Sequence, residues 1–292
     1  MQTEIIGHSA NIELLGKMIK AKNPHQSFLF SGPEYVGKYT LSRAFASNLI
    51  NEREECLWNT SVTDDLDLQV VAPEEVEQKK KKVIKDISIE AIKDATTWLA
   101  LAPDKNAKVL IINDAHRMTV SAQNALLKTL EEPKDMRYII LVSHSPDSLL
   151  QTVLSRCFVM QFSTVAHSEI ESCFGENEYL DDCGGRPGFL TRIQNDENMQ
   201  ATVEYARNRL QKLAGTKLHE RMELAEELSK KDDEYLQIFL HVWIYRIWRA
   251  AHKTQKLSLL KLADRVDETL KLLQNSNANK QLVLENLFIN IV

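Results

Sequence analysis

The four cysteines of this 292-residue chain, Cys56, Cys157, Cys173 and Cys183, form no C-x-x-C pair. Their spacing supports neither a zinc site nor a disulfide framework, and reduced thiols in a reducing compartment are expected. Long hydrophobic runs are missing too. The N-terminal "MQTEIIGHSANIELL" has neither a basic region nor an apolar stretch suited to a signal peptide, and no later run approaches the length of a membrane span. The expected location is cytoplasmic, with no membrane partner. The chain also lacks an excess of positive charge, with a formal net charge of -5. It is not built to wrap nucleic acid through a global field, so any DNA contact must be local. No internal repeat is found.

What is present is ordinary for a globular protein: 43% apolar and 26% charged residues, in a chain long enough for two or three domains. The first half alternates short apolar runs with amphipathic stretches: "SFLFSG", "KYTLSRAFASNLI", "DLDLQVVAP", "SIEAIKDATTWLAL", "KVLIIND", "SAQNALLKTLEE" and "RYIILVS". That order predicts an α/β domain with a parallel sheet and helices on both faces. The unbroken apolar runs from Val109 to Ile112 and from Ile139 to Val142 suit strands buried on both faces. Ala122, Ala125, Leu126, Thr129 and Leu130 fall at helical spacing, and Pro133 marks the stop. The charge run "EQKKKKVIKD" reads as a solvated loop or, second, as a weak phosphate or partner contact.

After "CFVMQFST" strand patterns end, and "CGGRPG" is the strongest breaker before a long helical region. The predicted division is an α/β domain over 1–164, a small helical domain over 165–207 and a larger helical domain over 208–292. In the last, "YLQIFLHVWIYRIWRAAH" is apolar nearly all round, which predicts a helix buried in a bundle with Trp243, Tyr245 and Trp248 in its core.

The chemistry concentrates at "SGPEYVGKYT". A phosphate-binding loop of the form G-x-x-x-x-G-K-[ST] uses glycines to turn backbone N–H groups toward the phosphates, a lysine for their charge and a hydroxyl for magnesium. Gly32, Gly37 and Lys38 fit this pattern, after a strand and before a helix. The hydroxyl position is instead Tyr39, and Thr40 comes one residue late, rotated by about 100° on a helix. Such sites also need a second strand ending in a magnesium-binding aspartate followed by a glutamate that orients water. Here "KVLIINDAH" places Asn113 and Asp114 there, and an uncharged amide is a poor match for a hard cation. Both magnesium positions are altered, so the fold of the loop is expected to be kept and hydrolysis lost, while residual nucleotide binding through Lys38 and the loop N–H groups stays open.

"DAHRMTVSAQNALLKTLEEP" and "YIILVSHSPDSLLQTVLSRCFVMQF", with "CGGRPGFL" and "NANKQLVLENLFINI", resemble the sliding-clamp loader branch of the AAA+ ATPases. Within it they are most similar to the delta-prime type of subunit of the bacterial DNA polymerase III clamp loader. The resemblance implies an AAA+ P-loop domain with a parallel sheet, a small helical lid and a C-terminal helical collar. It also implies a hetero-oligomeric ring that places a sliding clamp on primed DNA during replication, with gamma/tau motor and delta subunits as partners.

In this resemblance Ser155, Arg156 and Cys157 stand at the family's "SRC" motif, and Arg156 takes the place of an arginine finger offered in trans to a neighbour. Ser143 stands at a polar sensor position that His144 can share, and Arg186 lies near a second sensor arginine. The helix starts at Ser88 and Ser121 are the candidates for DNA phosphate contacts, although serines there are also ordinary helix caps. No cofactor is assigned to the chain itself; ATP and Mg²⁺ belong to the neighbouring motor subunit. Many relatives carry a four-cysteine zinc module where this chain keeps only Cys56, so zinc is expected to be absent. Isolated, the chain is expected to lack ATPase and polymerase activity. Two readings compete: a gamma/tau-like motor in which Thr40 and Asp114 take over the magnesium duties, and a recombination or repair AAA+ ATPase.

Overall fold

The computed structural model describes residues 5–21, 25–52, 58, 65–78, 81–213, 215–275 and 278–290. Cys56, on which the zinc expectation turns, lies outside them. The chain divides into two compact units, Met1–Glu169 and Ile170–Val292.

The first unit contains, in order, α1 (Ser9–Lys20), β1 (Ser27–Ser31), α2 (Lys38–Asn51), β2 (Leu68–Val71), β3 (Glu74–Gln78), β4 (Lys81–Lys85), α3 (Ile89–Leu99), β5 (Lys108–Ile112), α4 (Val120–Glu131), β6 (Arg137–Ser143), α5 (Gln151–Leu154) and β7 (Phe158–Gln161). Five strands form a parallel sheet in the order β2-β5-β6-β1-β7. Strands β1 and β5 are buried at every position, because helices cover both faces.

Alternation with period two divides the core. Phe28, Phe30, Val109, Ile111, Ile140 and Val142 pack with Leu15 of α1 and with Leu41 and Phe45 of α2. Leu29, Leu110, Ile112, Ile139 and Leu141 point the other way, onto Ile92 and Leu99 of α3 and Leu126 and Leu130 of α4. Each such buried side chain contributes about 1.5–3 kcal/mol relative to exposure. The packing therefore fixes where the strands end, and with them the loops that carry the chemistry.

Two expectations are corrected here. The described part of the charge run is strand: β3 and β4 form an antiparallel two-stranded ribbon, with Glu74 opposite Lys85 and Glu77 opposite Lys82 in the backbone register, while residues 79 and 80 lie outside the described residues. Acidic residues on one strand and basic residues on the next suit cross-strand pairing, a pattern hidden when the lysines are read alone. The first turn of α4 also begins earlier than the serine suggested. Thr119 is its cap, accepting from Ala122 N at 3.2 Å, whereas Ser121 lies inside the helix. Ser88 does cap α3, accepting from Ala91 N at 3.3 Å.

Helix α6 (His167–Phe174) crosses from one unit to the next, and the second unit continues with α7 (Pro187–Asn195), α8 (Glu197–Leu213), α9 (Leu218–Ser229), α10 (Asp233–Thr254), α11 (Leu257–Asn275) and α12 (Lys280–Ile289). Helix α8 runs through residues 207 and 208, where the sequence division was placed. Trp243 is fully buried and its indole donates to Ala206 O at 2.9 Å. Trp248, expected in the same core, is 51% exposed. The two are five positions apart, about 140° around the helix, so one stripe of the helix does not bury both. Asp182, with no exposed surface, accepts from Arg207 Nε at 2.8 Å and from Arg246 Nε at 2.5 Å, tying α8 and α10 to the segment before α7.

Among the described residues no helix is long and apolar enough to cross a membrane.

Candidate functional site

Three neighbouring strands, β5, β6 and β1, deliver the loop residues to one end of the sheet. Ser31 is paired with Ser143 and Ile112 with Leu141, so the segments starting at Gly32, Asn113 and His144 leave the sheet together at its C-terminal edge. This is the edge where open α/β sheets bind ligands.

The loop has the shape its glycines predict. Gly32 has a φ of 149°, and an added Cβ there would run into the carbonyl oxygen of Phe162 just after β7. Gly37, with a φ of 104°, precedes α2 and has open space around it, so its requirement is conformational. Lys38 is buried and turned back on the loop, donating from Nζ to Gly32 O at 2.6 Å and to Pro33 O. Burial lowers its ammonium to about 8, against the opposing pull of the Glu34 and Asp114 carboxylates.

Around it stand the other predicted positions. Asn113 Nδ2 donates to Asp114 Oδ2 at 3.1 Å, and burial together with the nearby Glu34 charge raises the Asp114 carboxyl above its ordinary range. Ser143 is buried, its Oγ accepting from Ser145 N at 3.1 Å and lying 3.5 Å from His116 Nδ1. Tyr39 does not join this group: its ring packs against the core cluster on the α1/α2 face. Thr40 follows inside the first turn of α2.

Sequence reasoning missed two members. His144 Nε2 lies 2.9 Å from Glu34 Oε1, and the His116 and His144 rings meet edge to face at 4.0 Å. Burial, with the neighbouring His144 and Arg117, lowers His116 to about 3. An acidic residue inside a phosphate loop was the available signal for Glu34; His116 had none beyond its place after Asp114.

Arg156 lies elsewhere. Its Nη2 is 2.7 Å from Glu131 Oε1, and Nη1 donates to Thr152 O at 2.9 Å and to Ser155 Oγ at 3.2 Å. Strands β1 and β7 run parallel, with Phe28 beside Phe158 and Ser31 beside Gln161. The loop leaves the C-terminal end of this pair, whereas Arg156 precedes its N-terminal end. The paired strands alone hold the two apart by about 10 Å at ~3.3 Å per residue.

Arg186 is buried to 2% exposure, with its guanidinium over the rings of Phe189 at 4.7 Å and Tyr245 at 4.6 Å. Within the second unit its Nε also donates to Cys183 O at 3.3 Å. Among the described residues, no group of three or more His, Cys, Asp and Glu side chains is placed to hold a metal ion.

A five-stranded parallel sheet with a phosphate-type loop after its first strand, followed by a helical second unit, defines an AAA+ protein. The family profile described as DNA polymerase III, delta subunit, matches residues 7–166, more than half of the chain, and the chain belongs to that family of clamp loader proteins. It is 25% identical to replication factor C subunit 4 of Encephalitozoon cuniculi, over 89% of this chain and 85% of the relative. It is 32% identical to the DNA polymerase III subunit delta' of Pseudomonas aeruginosa, over 47% of this chain and 43% of that protein. The DNA polymerase III subunit tau of Bacillus subtilis is 27% identical over 57% of this chain and 30% of its own length. The alignments thus span less than half of those two bacterial relatives. Among solved structures, a DNA polymerase III gamma subunit-related protein of Thermotoga maritima gives a TM-score of 0.49 at 20% identity, covering 95% of this chain and 97% of that one.

Proposed function

We infer that this chain is a delta-prime-type member of a clamp loader: it does not hydrolyse ATP in its own loop, and it lends Arg156 to the nucleotide of an adjacent motor subunit. The observation that carries this reading is the position of Arg156 at the far end of the sheet from the chain's own loop. A guanidinium there is of no use to the local phosphate site, but it is partly exposed and held in a fixed direction by Glu131. Aimed at a γ-phosphate across a subunit boundary, such a group typically accelerates hydrolysis by about 10³- to 10⁵-fold by meeting the negative charge that develops there.

The chain's own loop supports the same reading. Magnesium needs charged or hydroxyl oxygen ligands beside the phosphates. At the two positions concerned stand a tyrosine ring packed on the core and an amide bonded to Asp114. These residues do not fit the ion, and no hydrolytic step is assigned to them. The helical second unit is assigned to the collar that holds the ring together, with gamma/tau-type motor and delta subunits as neighbours and a sliding clamp and primed DNA as the objects of the work.

Assembly and turnover test this proposal together. The isolated chain is expected to show no magnesium-dependent ATP turnover above background, and to co-purify with motor and delta subunits as one complex. Turnover by the isolated chain favours the motor reading, and failure to assemble contradicts both.

A further inference from the structure

The loop carries a carboxylate of its own. Glu34 lies between Gly32 and Gly37, in the stretch whose backbone N–H groups would face a phosphate. His144, just beyond β6, holds it at 2.9 Å. The Glu34 charge is close enough to act on Lys38, Asp114 and His116, which come from the start of α2 and the end of β5. Lys38, which would meet a phosphate, is already bonded to the carbonyl oxygens of residues 32 and 33. Two carboxylates and an inward-turned lysine therefore stand around the loop that would receive a polyphosphate.

We propose that Glu34 sets the ligand selectivity of this loop: its carboxylate, held by His144, is an internal counter-charge to Lys38 and the loop N–H groups, and it keeps polyphosphate ligands out. The inference rests on the reading of a silent loop and adds to it. Tyr39 and Asn113 account for lost hydrolysis, whereas Glu34 acts one step earlier, on binding. A polyphosphate brings several negative charges beside a fixed, half-exposed one that already faces the buried Lys38. Glu34→Gln removes that charge and leaves the side-chain shape, the glycines and Lys38 intact.

The test measures binding of a fluorescent ATP analogue to the full chain by anisotropy, in EDTA so that magnesium plays no part. Wild type, Glu34→Gln, Glu34→Ala and the double variant Glu34→Gln/Lys38→Met are compared. Both single variants are expected to bind at least about tenfold more tightly than wild type, and the double variant is expected to lose that gain. The outcome that overturns the proposal is a gain below about twofold in both single variants, or a gain that survives loss of Lys38.

A second readout separates this inference from the reading beneath it. In the reconstituted loader, unchanged stimulated turnover with Glu34→Gln but no gain in binding overturns the role of Glu34 and leaves the silent subunit standing. Turnover by isolated wild-type chain overturns the silent subunit instead.

Discussion

Glu131, at the end of α4, fixes Arg156 across the turn that leads into β7, with Oε1 and Nη2 2.7 Å apart. The pair is half-exposed, and such pairs contribute about 0–1 kcal/mol to stability. Its value is directional: the carboxylate and the Thr152 carbonyl together hold the guanidinium in one orientation. Glu131→Ala is therefore expected to leave the unfolding free energy within ~1 kcal/mol of wild type, while lowering stimulated turnover of the assembled loader about three- to tenfold through lost positioning. Equal turnover by variant and wild type would show that Arg156 needs no guide.

Gly32 carries a separate, structural burden. A methyl group at this position overlaps the Phe162 carbonyl oxygen, and the backbone is in a region that side chains rarely adopt. Gly32→Ala is expected to destabilise the first unit by about 2–4 kcal/mol in denaturant titration. Gly37→Ala meets no neighbour and pays only the conformational cost, about 1–2 kcal/mol. Reversal of that order would mean the loop is free to move away from β7.

In the second unit, Asp182 is buried between Arg207 and Arg246. Asp182→Ala removes the buried carboxylate that both guanidinium groups share, leaving Arg207 its contacts with Glu178, and is expected to cost about 3–5 kcal/mol, measured by chemical denaturation. The two tryptophans of α10 provide a contrast. Trp243→Ala opens a cavity and removes the bond to Ala206 O, with an expected loss of about 3–5 kcal/mol, whereas Trp248→Ala is expected to change stability by less than about 1 kcal/mol.

His116 makes the fold sensitive to acid. In the native state the ring stays neutral down to about pH 3, while in the unfolded chain it takes a proton below 6.5. The unfolded state binds more protons in that window, so stability is present above pH 6.5 and falls as pH drops from there toward 3. The slope is at most about 1.4 kcal/mol per pH unit, and partial exposure reduces it. Asp114 opposes it, since its raised carboxyl gains a proton more readily in the folded state. His116→Asn is expected to flatten the acid limb of the stability profile, and proton NMR of wild type should find no His116 titration between about pH 5 and pH 8. A midpoint near the ordinary histidine value would contradict the buried geometry.

Much of this arrangement was legible before the fold. Unbroken apolar runs at Val109–Ile112 and Ile139–Val142 marked strands buried on both sides, and Gly32, Gly37 and Lys38 marked the loop, because hydrophobic period and backbone shape are local properties. The strand at Lys81–Lys85 was missed because its acidic partner strand, beginning at Glu74, had to be read together with it. Trp248 was misjudged because composition along a helix does not say which stripe a bundle covers. The stacking of Arg186 on Phe189 and Tyr245 had no signal in the sequence, because the contact to Tyr245 is long-range and spacing cannot reveal it. The Glu34–His144 pair joins residues 110 positions apart, brought together only by the β1–β6 pairing.

On the proposed reading, the chain serves chemistry outside its own loop. The most direct test of that reading is clamp- and DNA-stimulated ATP turnover of a loader reconstituted with motor and delta subunits from the same genome, comparing wild type with Arg156→Ala. The expected result is a loss of about 10³-fold or more at the motor site adjoining this chain, seen as loss of that site's share of turnover, with assembly intact. Undiminished turnover in an assembled complex would contradict the account.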